Sequence, residues 1–244
     1  MSLAAPRTRQ QEDEGYVLHT YPYRETSLVV ELFTRVHGRV GVIAKGAKRP
    51  GSQLRGVLLS FQPLSVAWAG KTELRTLARA EWQRVLPQLS GVGLLCGFYV
   101  SELVLKLTRR DDPHETLYDQ YARAMEGLRE AQPAQFGPLL RRFELRLLRE
   151  LGYAAAFDRD ALTGAPIVAE ASYEYRVETG PVAVAPDPRR VQFSGRTVLD
   201  VASDNFGNPT TRQEARELMR LIINHYLDGE PLRTRQLLVD LQSL

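Results

Sequence analysis

Cysteine is nearly absent from this chain: Cys96 stands alone among 244 residues. No intrachain disulfide can form, and every site built from several cysteines, from zinc ribbon to iron–sulfur cluster, is excluded. Such usage fits a reducing cytosol. Long apolar runs are missing too. The most apolar window, 85–107, is interrupted by Gln88, Ser90, Ser101, Glu102 and Lys106, and the N-terminus has no apolar signal core. The sequence therefore predicts a cytoplasmic protein that is not exported and makes no membrane contact. Catalytic inventory is equally thin. His19, His37, His114 and His225 are scattered without metal-ligand spacing, no GxSxG elbow occurs, and Cys96 lies in an apolar segment that reads as core. Gly46-x-x-x-x-Gly51-Ser52 lacks the lysine of a phosphate loop, and Gly91-x-Gly93 follows no strand. Asp111 and Asp112 are paired carboxylates that a helix start accounts for. The reading is a protein with no catalytic site, no metal and no cofactor.

Charge is present but uneven. The formal net charge is +3 and the pI about 9.1. Residues 1–85 carry 13 Lys and Arg against 7 Asp and Glu, while residues 86–244 carry 19 against 22. Within 31–55, Arg35, Arg39, Lys45, Lys48, Arg49 and Arg55 are opposed only by Glu31. A basic N-terminal module precedes a mildly acidic remainder, a distribution that points to a polyanionic partner.

Residues 1–14 read as a flexible arm outside the fold. Over 15–85, β-type runs at Tyr16–Tyr21, Ser27–Thr34, Arg39–Ala44, Leu64–Trp68 and Leu74–Trp82 alternate with turn residues, and five short strands suggest a small barrel. Gly38 supplies the positive φ of a tight hairpin, and 46–56 reads as a mobile basic loop. Beyond Pro87 the pattern is helical: Gly91–Arg109, then a helix launched by Asp112-Pro113-His114-Glu115 toward Arg129, then a third after Pro133 that closes at Gly152. Residues 154–208 are punctuated by glycine and proline and predict one or two hairpins with no helix. Thr211-x-x-Glu214 reads as a capping box for a helix to Leu227, and Leu232–Leu241 as the terminal helix. The fold class is α+β: a barrel over 15–85, helices over 86–153 and 209–244, and a small irregular or β insert over 154–208.

A five-stranded barrel with a basic hairpin and loop has the sequence signature of an OB-fold, in which a cationic groove and stacked aromatics hold nucleic acid strands. The candidate DNA-binding residues are Arg35, Arg39, Lys45, Lys48, Arg49 and Arg55, with Lys71 and Arg75 on a later turn. Tyr21, Tyr23, Phe33 and Trp68 lie nearby in sequence and read chiefly as core. If about five phosphates are neutralised, log affinity falls against log salt with a slope near about −3.5 on single strands and about −4.5 on duplex. Two other classes stay open on these residues alone: an RNA-binding OB protein, and a metal-dependent nuclease using Asp111 and Asp112.

Specific clusters carry a resemblance. Tyr16-Val17-Leu18-His19-Thr20, Tyr23-Arg24-Glu25-Thr26-Ser27-Leu28, Leu32-Phe33-Thr34, Gly38-Arg39-Val40 and Ala44-Lys45-Gly46-Ala47 resemble the start of the RecO family of bacterial recombination mediators. Phe61-x-Pro63-Leu64, Glu73-Leu74-x-x-Leu77-x-x-x-Glu81, Leu139-x-Arg141-Arg142-Phe143-Glu144, Leu151-Gly152-Tyr153, Phe157-Asp158 and Pro231-Leu232-x-x-Arg235-x-Leu237-Leu238 continue it in order.

The resemblance implies a non-enzymatic, nucleoid-associated protein of DNA repair and recombination. Such a protein binds single- and double-stranded DNA and anneals complementary strands. It also docks the acidic C-terminal tail of single-stranded DNA-binding protein, associates with RecR, and indirectly helps RecA load. A tail that ends in acidic residues, an aromatic ring and a free carboxylate calls for an apolar pocket rimmed by arginine. By resemblance the tail site maps to Arg141 and Arg142, with Leu117, Tyr118 and Tyr121 as its apolar wall. Many members hold the insert with four cysteines around zinc; here 157–167 contains Ala161, Thr163 and Gly164 and no cysteine. This chain resembles the cysteine-free variety, whose insert is held by packing and hydrogen bonds.

Overall fold

In β1 (Gln11–Tyr23), β2 (Ser27–Thr34), β3 (Gly38–Ala44), β4 (Leu64–Ala69) and β5 (Leu74–Trp82), apolar side chains at every second position turn to one side. Val30 and Leu32, Val40 and Val42, and Leu64, Val66 and Trp68 are all fully buried there, as a period of two demands. The strands close into a barrel in the order β1-β2-β3-β5-β4, antiparallel throughout except for the parallel β3–β5 pair. The sequence prediction of an α+β protein with an OB-type barrel holds. This computed structural model describes residues 10–154 and 156–242, which form two compact units that divide between Met125 and Glu126.

The long first strand closes the barrel by serving two neighbours. Residues 11–15 pair with β4, and residues 15–23 pair with β2, with a bulge between Val17 and His19. This corrects the reading of residues 11–14 as part of a flexible arm. Gln11-Glu12-Asp13-Glu14 is polar because one face meets solvent, and Trp68, whose indole N–H donates to Gln11 Oε1 at 2.9 Å, lies across from Gln11. Residues 1–9 of that arm lie outside the described residues.

A short helix, α1 (Gln53–Val57), follows β3, so the basic loop is more ordered than its composition suggested. Trp82 caps it, donating its indole N–H to the Val57 carbonyl at 2.8 Å. Two longer helices complete the first unit. Helix α2 (Gly91–Leu107) buries Cys96, Tyr99, Val100, Leu103 and Val104, and α3 (Glu115–Glu130) sets Tyr118 and Tyr121 against Tyr16 and Phe33, with ring centroids 5.1–5.8 Å apart.

The link between α2 and α3 departs from the expected Asp112 cap. Helix α2 stops at Leu107, where the Thr108 hydroxyl donates back to the Val104 carbonyl at 2.8 Å. Residues 110–112 then run beside β3: the Asp111 N–H donates to the Arg39 carbonyl at 2.9 Å, and Gly38 lies so close that a Cβ there would sit 1.9 Å from the Asp112 carbonyl oxygen. The backbone is engaged with the barrel and the helix starts only at Glu115.

In the second unit, α4 (Pro133–Glu150) ends at Gly152 (φ +72°), as its sequence implies. A three-stranded sheet, ordered β7-β6-β8, comprises β6 (Ser172–Arg176), β7 (Gly180–Val184) and β8 (Phe193–Ser194). Two readings need correction. A helix, α5 (Gly195–Ala202), occupies the end of the region predicted to lack one, nucleated by the Ser194 hydroxyl accepting from the Thr197 N–H. Helix α6 (Pro209–Tyr226) is capped by Asn208, not by Thr211. Thr211 is buried and donates to Asp200 Oδ2 at 2.6 Å, while Glu214 accepts from Ser194. The supposed capping box instead ties α6 to α5 and β8. Helix α7 (Arg233–Gln242) is the last described element.

Candidate nucleic-acid interface

The eight predicted phosphate contacts divide by whether another part of the protein already holds them. Arg39 pairs with Glu31 at 3.0 Å and donates to the Thr108 carbonyl at 3.1 Å, and Arg75 pairs with Asp111 at 2.7 Å; both side chains are only 16% exposed. Arg35 reaches Asp119 at 3.1 Å and lies over the Tyr118 ring, but at 39% exposure that pair is weak. Lys45, Lys48, Arg49, Arg55 and Lys71 are exposed and form no ion pair with a described residue.

Four of these five follow β3 directly, in the loop and helix from Lys45 to Arg55. The loop is fastened: the Lys48 N–H donates to the Thr26 carbonyl at 2.8 Å, and the Gly46 N–H reaches Ser27 Oγ at 3.4 Å. That brings in Arg24, a residue the sequence reading passed over. It sits on the β1–β2 turn with φ +51° and lies over the Tyr23 ring at 5.2 Å. Lys71 is placed elsewhere. Parallel pairing of Gly41 with Leu74 sets the β4–β5 turn at the end of β3 opposite Lys45.

Between those ends, the outer face of the barrel carries Tyr21, Val29 and Ile43 in one cross-strand row and His19, Glu31 and Gly41 in the next. Tyr21 is 42% exposed and packs edge-on against His19 at 4.5 Å. Phe33 and Trp68 are fully buried, as the core reading required. Glu31 is also buried, and Arg110 lies across it in a second ion pair. Hydrogen bonding to Glu31 raises the Arg110 guanidinium above its ordinary pKa. A Cβ on Gly41 would meet that guanidinium at 3.1 Å, so glycine is what lets Arg110 cross the strand.

The residues predicted for the tail site are placed as follows. Leu117, Tyr118 and Tyr121 are buried against the barrel, and the Tyr121 hydroxyl is bonded to Ser101 at 2.8 Å. Burial pushes the Tyr118 phenol far above its ordinary pKa. Arg141 pairs with the fully buried Glu144 on its own helix. Arg142 remains exposed. It stands at a cleft of about 560 Å³ walled by Ala131, Pro138, Leu139 and Phe206, and its guanidinium lies 5.7 Å from the Phe206 ring centroid.

The insert shows no fit to zinc, and no described cluster of three His, Cys, Asp or Glu side chains is disposed to hold a metal ion. A carboxylate organises the turn instead. Asp160 Oδ1 accepts from the Leu162 and Thr163 N–H groups and the Thr163 hydroxyl, and Oδ2 accepts from the Ala183 N–H at 2.6 Å. These bonds, the Ala183 one foremost, lower its pKa to about 2.

A closed OB-type barrel with a fastened basic loop, together with helices and a small sheet, defines this as an α+β protein of the barrel-plus-helix class. Comparison with known proteins narrows it. The description "Recombination protein O N terminal" matches residues 9–85, and "Recombination protein O C terminal" matches residues 88–236. DNA repair protein RecO of Nitrosospira multiformis is 48% identical over 240 residues, covering 98% of each chain. Its namesake in Aromatoleum aromaticum is 47% identical, covering 98% of this chain and 99% of its own. The chain belongs to the RecO family, in its non-zinc variety, and its role lies in DNA repair and recombination. No described helix is long and apolar enough to cross a membrane.

Proposed function

We propose that this protein is a non-enzymatic, cytoplasmic recombination mediator that binds single- and double-stranded DNA through its sugar-phosphate chain and anneals complementary strands. The observation that carries the reading is the set of unpaired cations at Lys45, Lys48, Arg49 and Arg55, joined by Arg24 on the adjoining turn. Held backbones with free ammonium and guanidinium groups neutralise phosphate at little ordering cost, and release of counterions supplies the affinity. Beside them, the exposed His19–Tyr21 pair offers a face on which a base can stack. The mechanism is physical: charge neutralisation lets two strands approach, and no bond is broken.

The same reading gives the protein a partner, the acidic tail of single-stranded DNA-binding protein, and places the tail in the Arg142 cleft. The guanidinium meets the carboxylates, while Leu139, Pro138 and Phe206 receive the aromatic end. Association with RecR and indirect help to RecA complete the proposal; two weak linked contacts, tail and strand, raise the local concentration needed to remodel a coated strand.

Fluorescence anisotropy with labelled oligonucleotides across a salt series tests the strand-binding reading. The expected result is nanomolar to micromolar binding whose logarithm falls linearly with log salt; no binding in dilute buffer overturns it. Competition with matched RNA separates it from an RNA-binding OB protein, since preference for RNA would favour that alternative.

A further inference from the structure

The second unit belongs to the net acidic part of the chain, yet its arginines gather in a band. On α4, Arg149 and Arg142 reach the carbonyls of Ala202 and Asp204, both at 3.4 Å. On α6, Arg212 donates to the carbonyls of Phe206 at 3.3 Å and Gly207 at 2.8 Å. Arg216 and Arg220 continue from Arg212 at four-residue spacing along one exposed edge of α6, and neither forms an ion pair with a described residue. Asn224 extends the row and accepts from Arg235 at 2.8 Å. Glu217 is the one exposed carboxylate on the described surface of α6.

We propose that this α6 edge is a second polynucleotide contact, one that holds a second strand while the barrel loop holds the first. Four helical residues advance about 6 Å along the axis, close to the two-nucleotide advance of about 6.8 Å along one strand of a duplex. Arg212, Arg216 and Arg220 are thus spaced to meet alternate phosphates. An acidic peptide with an aromatic end is the poorer fit, because its ring needs an apolar pocket and the exposed side chains between the arginines are Gln213 and Glu217. Phosphate backbone needs no such pocket. The inference rests on the strand-binding reading above and explains how one chain brings two strands together.

The test uses the full chain and two non-complementary oligonucleotides, one labelled with a donor dye and one with an acceptor. Wild type is expected to give energy transfer between them. R216A/R220A is expected to bind a single oligonucleotide within about two-fold of wild type but to lose about ten-fold in energy transfer and in the rate of annealing complementary strands. With two phosphate contacts gone, the salt slope of the two-strand complex on single strands becomes shallower by about 1.4. R216K/R220K, which keeps both charges, is expected to restore transfer. Unchanged transfer in R216A/R220A overturns the proposal, as does failure of the lysine pair to restore it or loss of acidic-peptide binding in place of strand bridging. If wild type itself binds no oligonucleotide, the strand-binding reading falls first, an outcome that single-strand anisotropy reads separately.

Discussion

The backbone N–H of Lys48 donates to the carbonyl of Thr26, fastening the basic loop after β3 to the turn between β1 and β2. The loop's charges are thereby held at one end of the barrel while their side chains stay in solvent. That separates cations left free for a partner from cations tied into the fold, although all are arginine or lysine.

Removing the free charges should weaken strand binding without weakening the fold. For K45A/K48A/R49A/R55A the salt slope on single strands is expected to become shallower by about 2.8, four contacts' worth, with the melting temperature unchanged. Arg39→Ala should do the reverse. It strips one partner from buried Glu31 and leaves the carboxylate less compensated, at a cost of about 3–5 kcal/mol if the pair behaves as buried pairs do. Salt-series anisotropy and denaturant unfolding on the same preparations check both; a slope as steep as wild type in the quadruple variant would show that these loop cations do not touch phosphate.

The tail site proposed at the Arg142 cleft makes opposite predictions for residues that the sequence reading grouped together. Arg142→Ala is expected to weaken binding of an acidic, phenylalanine-ended peptide by about ten-fold, the size of one charge-assisted contact. Leu117→Ala should leave peptide affinity unchanged and cost about 2–5 kcal/mol of stability, because Leu117 is fully buried. Peptide anisotropy with Arg142→Ala, Arg141→Ala and Leu117→Ala decides; equal loss in the Leu117 variant at a temperature where it remains folded would restore the original site.

Much of the barrel was legible because its signals are local. Ser27–Thr34 and Leu74–Trp82 match β2 and β5 residue for residue, since alternation and flanking turns define each strand without reference to the rest of the chain. What was hidden depends on distant partners. Gln11–Glu14 looks like a polar tail until β4 supplies its ladder, and α5 is masked by the glycines and prolines around it. The site suffered the same way: Arg39 and Arg75 look as available as Lys45 until Thr108 and Asp111 arrive from beyond α2. Tyr118 and Tyr121 looked like a pocket wall because helical spacing exposes a stripe without saying what covers it.

Gly38 joins two long-range features, and its substitution should show it. Its φ of +67° is left-handed, where an L side chain costs about 1–2 kcal/mol, and a Cβ would strike the Asp112 carbonyl besides. Gly38→Ala is therefore expected to destabilise the protein by more than the backbone cost alone and to loosen the 110–112 segment from β3. Hydrogen exchange at the Asp111 amide reports that loosening; unaltered protection there would mean the segment is held by its arginines and not by the close approach.

Asp160 is a proton-sensitive fastening of the insert, and the sign of its pH dependence follows from its pKa. The carboxyl is held at about 2 in the folded protein against an ordinary 3.8, so the folded state binds the proton less readily than the unfolded one. Its contribution is fully present above the ordinary value and is lost as pH falls from about 4 toward 2. Many carboxylates titrate in that window, so the readout must be local: exchange protection at the Thr163 and Ala183 amides, both donors to Asp160. Wild type should lose that protection on acidification, while Asp160→Asn should start with weaker protection at neutral pH and show little further change. Chelator should alter neither protein. If Asp160→Asn retained wild-type protection at pH 7, the carboxylate would not be what holds the turn, and the packing of Phe157 on Tyr175, with ring centroids 5.5 Å apart, would have to hold it alone.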